Sequence, residues 1–209
     1  MNTAATNTAA KGRLIAFEGG EAAGKTTQAR LLAERIGAQL SFEPGATELG
    51  NHIRSLVLNS SGPQPTARAE ALLIAADRAQ HVAEVIRPTL DGGTHVVTDR
   101  YIGSSLAYQG IARQLGTTEI LAISEFATAG LTCDLTVLLE VDSHTALQRQ
   151  AAPSDRIEAE GNGFHHRVMQ GYRTLAAQDP KHWVVINGMG NVDEVAEAVY
   201  VAVKERLNV

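Results

Sequence analysis

Short apolar runs alternate along the chain with longer stretches in which apolar residues recur every three or four positions. Residues 13–18 (RLIAFE) form one such run, lead into glycines and predict a strand. Residues 25–36 carry Leu31, Leu32, Arg35 and Ile36 at helical spacing, and Gly37 stops the helix. A second strand is expected at 39–42, turned by Glu43-Pro44-Gly45. Residues 48–59 predict a helix with Leu49, Ile53, Leu56 and Val57 on one face. A Ser/Gly/Pro loop at 60–65 precedes a long helix at 66–90, ended by Asp91-Gly92-Gly93. Further strands are expected at 95–98, 135–141 and 183–186, and further helices at 118–128, 143–150, 163–177 and 192–207. Strands separated by helices cannot be joined as hairpins. The pattern therefore predicts an α/β fold with a mostly parallel sheet covered on both faces.

A length of 209 residues fits one such domain, and no linker or repeat divides it. Residues 1–11 are rich in Thr, Ala and Asn, lack the apolar core of a signal peptide, and are expected to form a flexible tail ahead of a single domain at 12–209. Residues 151–163 are polar, contain Pro153 and two glycines, and interrupt two helices, as a mobile lid would. The net charge of −5 argues against a protein that coats a nucleic-acid polymer. A single cysteine, Cys133, excludes an intramolecular disulfide and a cysteine-built zinc site. No apolar run approaches the ~20 residues of a membrane span, so no membrane partner is expected. What remains is a cytoplasmic enzyme or nucleotide-binding protein.

The segment Gly19-Gly20-Glu21-Ala22-Ala23-Gly24-Lys25-Thr26 fits G-x-x-x-x-G-K-[ST], between a predicted strand and a predicted helix, with Thr27 following. Glycines let the backbone wrap phosphate oxygens, and the helix N-terminus adds positive potential. Lys25 would reach the β- and γ-phosphates of ATP, and the Thr26 hydroxyl would hold Mg2+. This motif defines the donor and leaves the acceptor open.

The acceptor is indicated by several segments in order: FEGGEAAGKTTQ, EPGATELG, LLIAADR at 72–78, DRYIGSSLAYQG at 99–110, and Asp155-Arg156-Ile157-Glu158 in the expected lid. Together they resemble bacterial thymidylate kinases, over essentially the whole chain from Gly12 onwards. The resemblance implies a P-loop nucleoside monophosphate kinase fold with a five-stranded parallel sheet flanked by helices, and a homodimer. It also implies transfer of the ATP γ-phosphate to dTMP with Mg2+. Residue by residue, it implies that Arg100 binds the acceptor phosphate and that Asp99 helps hold Mg2+. Glu21 would accept the sugar 3′-hydroxyl, Arg78 would donate to a thymine carbonyl, Tyr108 would pack under the sugar, and Ser105 would lie near the base. The cradle has no basic residue before Lys25, and the resemblance to family members with a lid-borne catalytic arginine then implies Arg156, with Arg149 second, for that role. Two positions depart from the family pattern: Phe42 stands where an arginine often precedes Glu-Pro-Gly, and Ile74 where a phenylalanine often stacks on the base. An acceptor phosphate is already ionised near pH 7, so no general base is required. His165 and His166, adjacent on a helix, cannot face one site together and are expected to be exposed. Two other readings remain open on the sequence: a deoxynucleoside or other small-molecule kinase of the same fold, and a non-catalytic nucleotide-binding regulator. The N-K-x-D guanine motif of a GTPase switch is absent.

Overall fold

The protein is described by a computed structural model covering residues 11–149 and 155–209. The expected tail, apart from Lys11, residue 150 at the end of an expected helix, and residues 151–154 of the expected lid lie outside the described residues. Five parallel strands form one sheet: β1 (Leu14–Gly19), β2 (Gln39–Phe42), β3 (Val96–Asp99), β4 (Leu135–Glu140) and β5 (Trp183–Asn187), in the order β2-β3-β1-β4-β5. The central β1 pairs Ile15 with Val97 on one side and with Leu135 on the other. All six of its residues are buried, as a central parallel strand requires.

Alternation along β1 assigns its two faces. Ile15 and Phe17 join Leu32, Leu139 and Val199 beneath α1 (Lys25–Ile36) and α9 (Val192–Leu207). Leu14 and Ala16 face a cluster with Val82, Ile86 and Leu90. A third cluster packs α2 (Glu48–Leu58), α3 (Ala67–His81) and α8 (Asn162–Gln178) around Tyr108, Phe164 and Tyr172. The remaining helices are α4 (Arg87–Asp91), α5 (Ile102–Ser105), α6 (Thr117–Thr128) and α7 (Ser143–Arg149).

The helix expected at 66–90 is continuous in space but not uniform. It runs through α3, widens into a π-turn at Val82–Ile86, and resumes as α4. The cause is Pro88, which has no N–H and whose ring would strike the carbonyl four residues back. Widening moves the bonds along by one residue: the Arg87 N–H donates to the Val82 carbonyl, and the Thr89 hydroxyl donates to the Val85 carbonyl at 2.7 Å. A second π-turn, Leu106–Ala112, extends α5. The periodicity did not predict this helix, because its Gly and Ser residues are poor helix formers. Tertiary contact explains them. A Cβ on Gly103 would lie 2.7 Å from Glu18 Oε1, and one on Gly171 of α8 would lie 3.0 Å from Ile111 Cδ1.

The turn after β2 is held from below by α3. Asp77 Oδ1 accepts from the Gly45 N–H at 2.9 Å, while Oδ2 is buried without a partner. Burial, followed by the nearby charge of Glu43, pushes the Asp77 carboxyl up to about 6. Its folded value therefore lies above its ordinary 3.8, so its contribution to stability is complete below that value and is lost as pH rises through about 6. Asp77→Asn keeps the acceptor oxygen and removes the titration. The melting temperature of this variant, relative to the unmodified protein, should climb between about pH 4 and about pH 6.5 and level off above that. A difference that stays flat across that interval would contradict the assignment.

Candidate active site

Beyond the C-terminal end of β1 the chain must turn sharply into α1. Gly19 stands where a Cβ would lie 2.6 Å from the Leu139 carbonyl oxygen, and Gly24 adopts φ +92° immediately before α1. Ala22 also takes a left-handed conformation, φ 56°. Gly24 caps α1 with no side-chain hydrogen bond, so the first N–H groups of a twelve-residue helix are left for an anion. Lys25 folds back over this loop, its Nζ donating to the Gly20 carbonyl at 2.7 Å. Burial, reinforced by Arg100, lowers the Lys25 ammonium from its ordinary value against the pull of Glu21 and Asp99.

The Thr26 hydroxyl donates to Asp99 Oδ2 at 2.5 Å, which joins the start of α1 to the end of β3. Asp99 Oδ1 is buried without a hydrogen-bond partner. A hydroxyl, a carboxylate and an unused buried oxygen suit Mg2+, which usually takes one or two protein oxygens and completes its shell with phosphates and water. Among the described residues no group of three or more His, Cys, Asp or Glu side chains could form a dedicated metal cage.

Arg100 follows Asp99 in the left-handed region, φ 72°. Its Nη2 donates to Glu21 Oε1 at 2.6 Å, and its Nη1 donates to the hydroxyls of Ser104 (3.1 Å) and Tyr172 (3.3 Å). The Tyr108 hydroxyl also donates to Glu21, at 2.7 Å. Burial opposes the charge on Glu21, but Arg100, Lys25 and Tyr108 outweigh it and hold its carboxyl down to about 2. Beneath them, the fully buried Glu18 accepts from the N–H groups of Tyr101 and Ser104 and from the hydroxyls of Ser104 and Tyr172. Burial raises its carboxyl from the ordinary value despite these donors.

An open cavity of about 590 Å3 runs from this charged end towards α2 and α3. It brings together Glu21, Lys25, Thr26, Asp99 and Arg100 at one end with Phe42, Ile74, Arg78, Ser105 and Tyr108. Arg78 is 1% exposed yet reaches the wall; it donates to Glu43 (2.8 Å), Ser105 Oγ (3.0 Å) and the Tyr101 carbonyl (3.0 Å). The two lid-side arginines are engaged elsewhere in this arrangement. Arg156 bonds the Val57 carbonyl and Glu70, and Arg149 bonds the Gly188 carbonyl. His165 is half-buried against the Glu158 carbonyl, and His166 is exposed.

The sequence reading missed several contributors. Arg54 lines the cavity near Phe42 and donates to the Pro44 carbonyl at 2.8 Å; its signal was one polar residue beside the apolar face of α2. Gln109 also lines the cavity and lies within the acceptor segment already singled out. Glu43 accepts from Arg78 and pairs with the buried His81, whose other ring nitrogen meets Ser41 Oγ at 2.5 Å. Nothing local marks that chain, since Ser41 and Glu43 lie 35 to 40 residues from their partners Arg78 and His81.

The profile of the thymidylate kinase family matches residues 17–199. The chain belongs to this family. It is 46% identical over 202 residues to the thymidylate kinase of Cutibacterium acnes, covering 94% of this chain and 98% of that protein. Identity to the thymidylate kinase of a Nostoc species is 43% over 197 residues, or 90% and 93% of the two chains. The crystal structure of thymidylate kinase from Ehrlichia chaffeensis superposes with a TM-score of 0.78 at 26% identity, covering 93% of this chain and 99% of that one. The family's five-stranded parallel fold is the one observed here. No helix among the described residues is long and apolar enough to cross a membrane.

Glu18 is the shared acceptor beneath this site. Glu18→Ala should strip four donors of their partner, the Tyr101 N–H and the Tyr172 hydroxyl through buried bonds, and lower unfolding free energy by about 2 kcal/mol or more, at ~1–3 kcal/mol for each buried group left unsatisfied. Urea denaturation measures this; a loss below about 1 kcal/mol would show that the donors find other partners.

Proposed function

We propose that this chain transfers the γ-phosphate of ATP to dTMP, giving dTDP and ADP, as a cytoplasmic step towards dTTP. The observation that carries this reading is the pairing of a phosphate cradle with a second cationic site, Arg100, at the mouth of one cavity. A kinase acting on a plain nucleoside has no acceptor phosphate for Arg100 to bind. A non-catalytic regulator would have no use for the acceptor cavity.

In this reading the N-terminus of α1 and Lys25 hold the donor phosphates. Arg100 leaves Glu21 for the acceptor phosphate, and Glu21, kept ionised, accepts the sugar 3′-hydroxyl. Tyr108 packs under the sugar. Arg78 and Ser105 meet the base edge and Ile74 its face, with Phe42 and Arg54 on the neighbouring wall. An acceptor phosphate oxygen attacks the γ-phosphorus as the bond to the β–γ bridging oxygen breaks; no proton has to be removed. Mg2+, held by Thr26 and Asp99, would neutralise charge on the phosphates. The protein's own task is to bring two polyanions into line and to exclude water. Arg149 is the lid-side arginine better placed for the donor, since it bonds Gly188, where a Cβ would lie 3.4 Å from the Ala23 carbonyl of the cradle. Arg156 closes the acceptor side in this arrangement and reaches the phosphates only on release from Glu70. Two copies would pair through the neighbouring helices α3 and α6, where Leu72, Leu121 and Phe126 stand exposed.

Release of ADP from ATP and a panel of nucleoside monophosphates tests the reading. dTMP should be the preferred acceptor, and Lys25→Ala should lower turnover by roughly a hundredfold or more, because ~1.4 kcal/mol of lost transition-state stabilisation is tenfold in rate. Preference for a ribonucleotide, or near-normal turnover in folded Lys25→Ala, would overturn it.

A further inference from the structure

Glu70 lies in the first turn of α3, is 1% exposed, and has no direct task in phosphoryl transfer. Four N–H donors converge on it. Gln109 Nε2 reaches Oε1 at 2.8 Å, Arg113 reaches Oε1 at 3.3 Å and Oε2 at 3.2 Å, and Arg156 Nη2 reaches Oε2 at 2.5 Å. Burial opposes its charge, but the bonds from Gln109, Arg156 and Arg113 prevail and lower the carboxyl from its ordinary value.

An ionised carboxylate can only accept hydrogen bonds. The Gln109 amide must therefore turn its NH2 towards Glu70, which leaves its carbonyl oxygen on the opposite side. Gln109 lines the cavity with Ile74, Arg78 and Ser105, and that oxygen takes no hydrogen bond from the described residues. Arg78 uses three of its five N–H groups within the protein and keeps one on each terminal nitrogen. One acceptor beside free donors matches a ring N–H next to a carbonyl. It opposes a ring nitrogen next to an amino group.

The same carboxylate holds the turn that covers the cavity. The Arg156 N–H donates to the Leu58 carbonyl, its Nε donates to the Val57 carbonyl, and Arg113 bridges from Glu70 to Glu160. A reversed Gln109 amide would set its oxygen against Glu70 and disturb the anchor of Arg156. We infer that Glu70 is a positioning residue for base selectivity: it fixes Gln109 as an acceptor and ties that choice to closure of residues 155–160 over the acceptor. The inference rests on the acceptor reading above.

dTMP and 5-methyl-dCMP carry the same sugar, phosphate and methyl group and differ at this base edge, so the ratio of their kcat/KM values reads the effect. A glutamine at position 70 can both donate and accept, which frees the Gln109 amide to turn. Glu70→Gln should cut the dTMP preference by about tenfold or more, the scale of one lost or mismatched hydrogen bond. The KM for ATP should stay within about twofold. An unchanged ratio in the folded variant overturns the inference. If thermal melting shows that Glu70→Gln does not fold, Gln109→Met carries the test: the preference should collapse, and a retained preference overturns the inference. Absence of dTMP phosphorylation in the unmodified protein overturns the acceptor reading and this inference together. Phosphorylation with an unaltered ratio in Glu70→Gln overturns this inference alone.

Discussion

The 2.6 Å ion pair between Glu21 and Arg100 is the constraint on which the site depends. One partner belongs to the loop between β1 and α1 and the other follows β3, so the pair joins what the proposed reaction uses as its donor and acceptor halves. Two opposite charges removed from most of their water need firm placement, since the cost of desolvation is recovered only when geometry is good and other hydrogen bonds are satisfied. The chain meets this by stacking carboxylates and hydroxyls around the guanidinium. Glu21 lies on one side, Ser104 and Tyr172 on another, and Glu18 beneath holds both hydroxyls. The left-handed backbone at Arg100 persists because these contacts over-determine it.

This arrangement is preorganised for anions. Lys25, Arg100 and the open end of α1 face the same space, and mutual repulsion between Lys25 and Arg100 is part of what lowers the lysine. Arrival of phosphate relieves that repulsion. In the proposed reaction the acceptor hydroxyl and phosphate would take over the contacts that Glu21 and Arg100 make with each other, exchanging one set of charge-assisted hydrogen bonds for another.

The cradle, the cationic end of β3 and the alternating strands and helices were legible in the sequence because their signals are local: a glycine pattern, an Asp-Arg-Tyr after an apolar run, a period of residues. The supporting carboxylates were not. Glu18 reads as the last residue of a strand, and only its 86-residue separation from Ser104, closed by the sheet, reveals its work. Glu70 reads as an ordinary acidic residue in a helix's first turn until Gln109, Arg113 and Arg156 are folded around it. The π-turns escaped for a different reason, since Pro88 and close helix packing at Gly103 and Gly171 override simple periodicity. The departures at Phe42 and Ile74 were plain in the sequence. Arg54, which brings positive charge to the wall shared with Phe42, appears only once α2 is placed.

Calorimetric titration with dTMP and with thymidine, in the unmodified protein and in Arg100→Ala, tests most directly whether Arg100 is held in place for an acceptor phosphate. dTMP should bind at least about tenfold tighter than thymidine, as a charge-assisted contact of ~1.5–3 kcal/mol requires, and the difference should largely vanish in the variant. A folded Arg100→Ala protein that keeps the full preference for dTMP over thymidine would contradict the account.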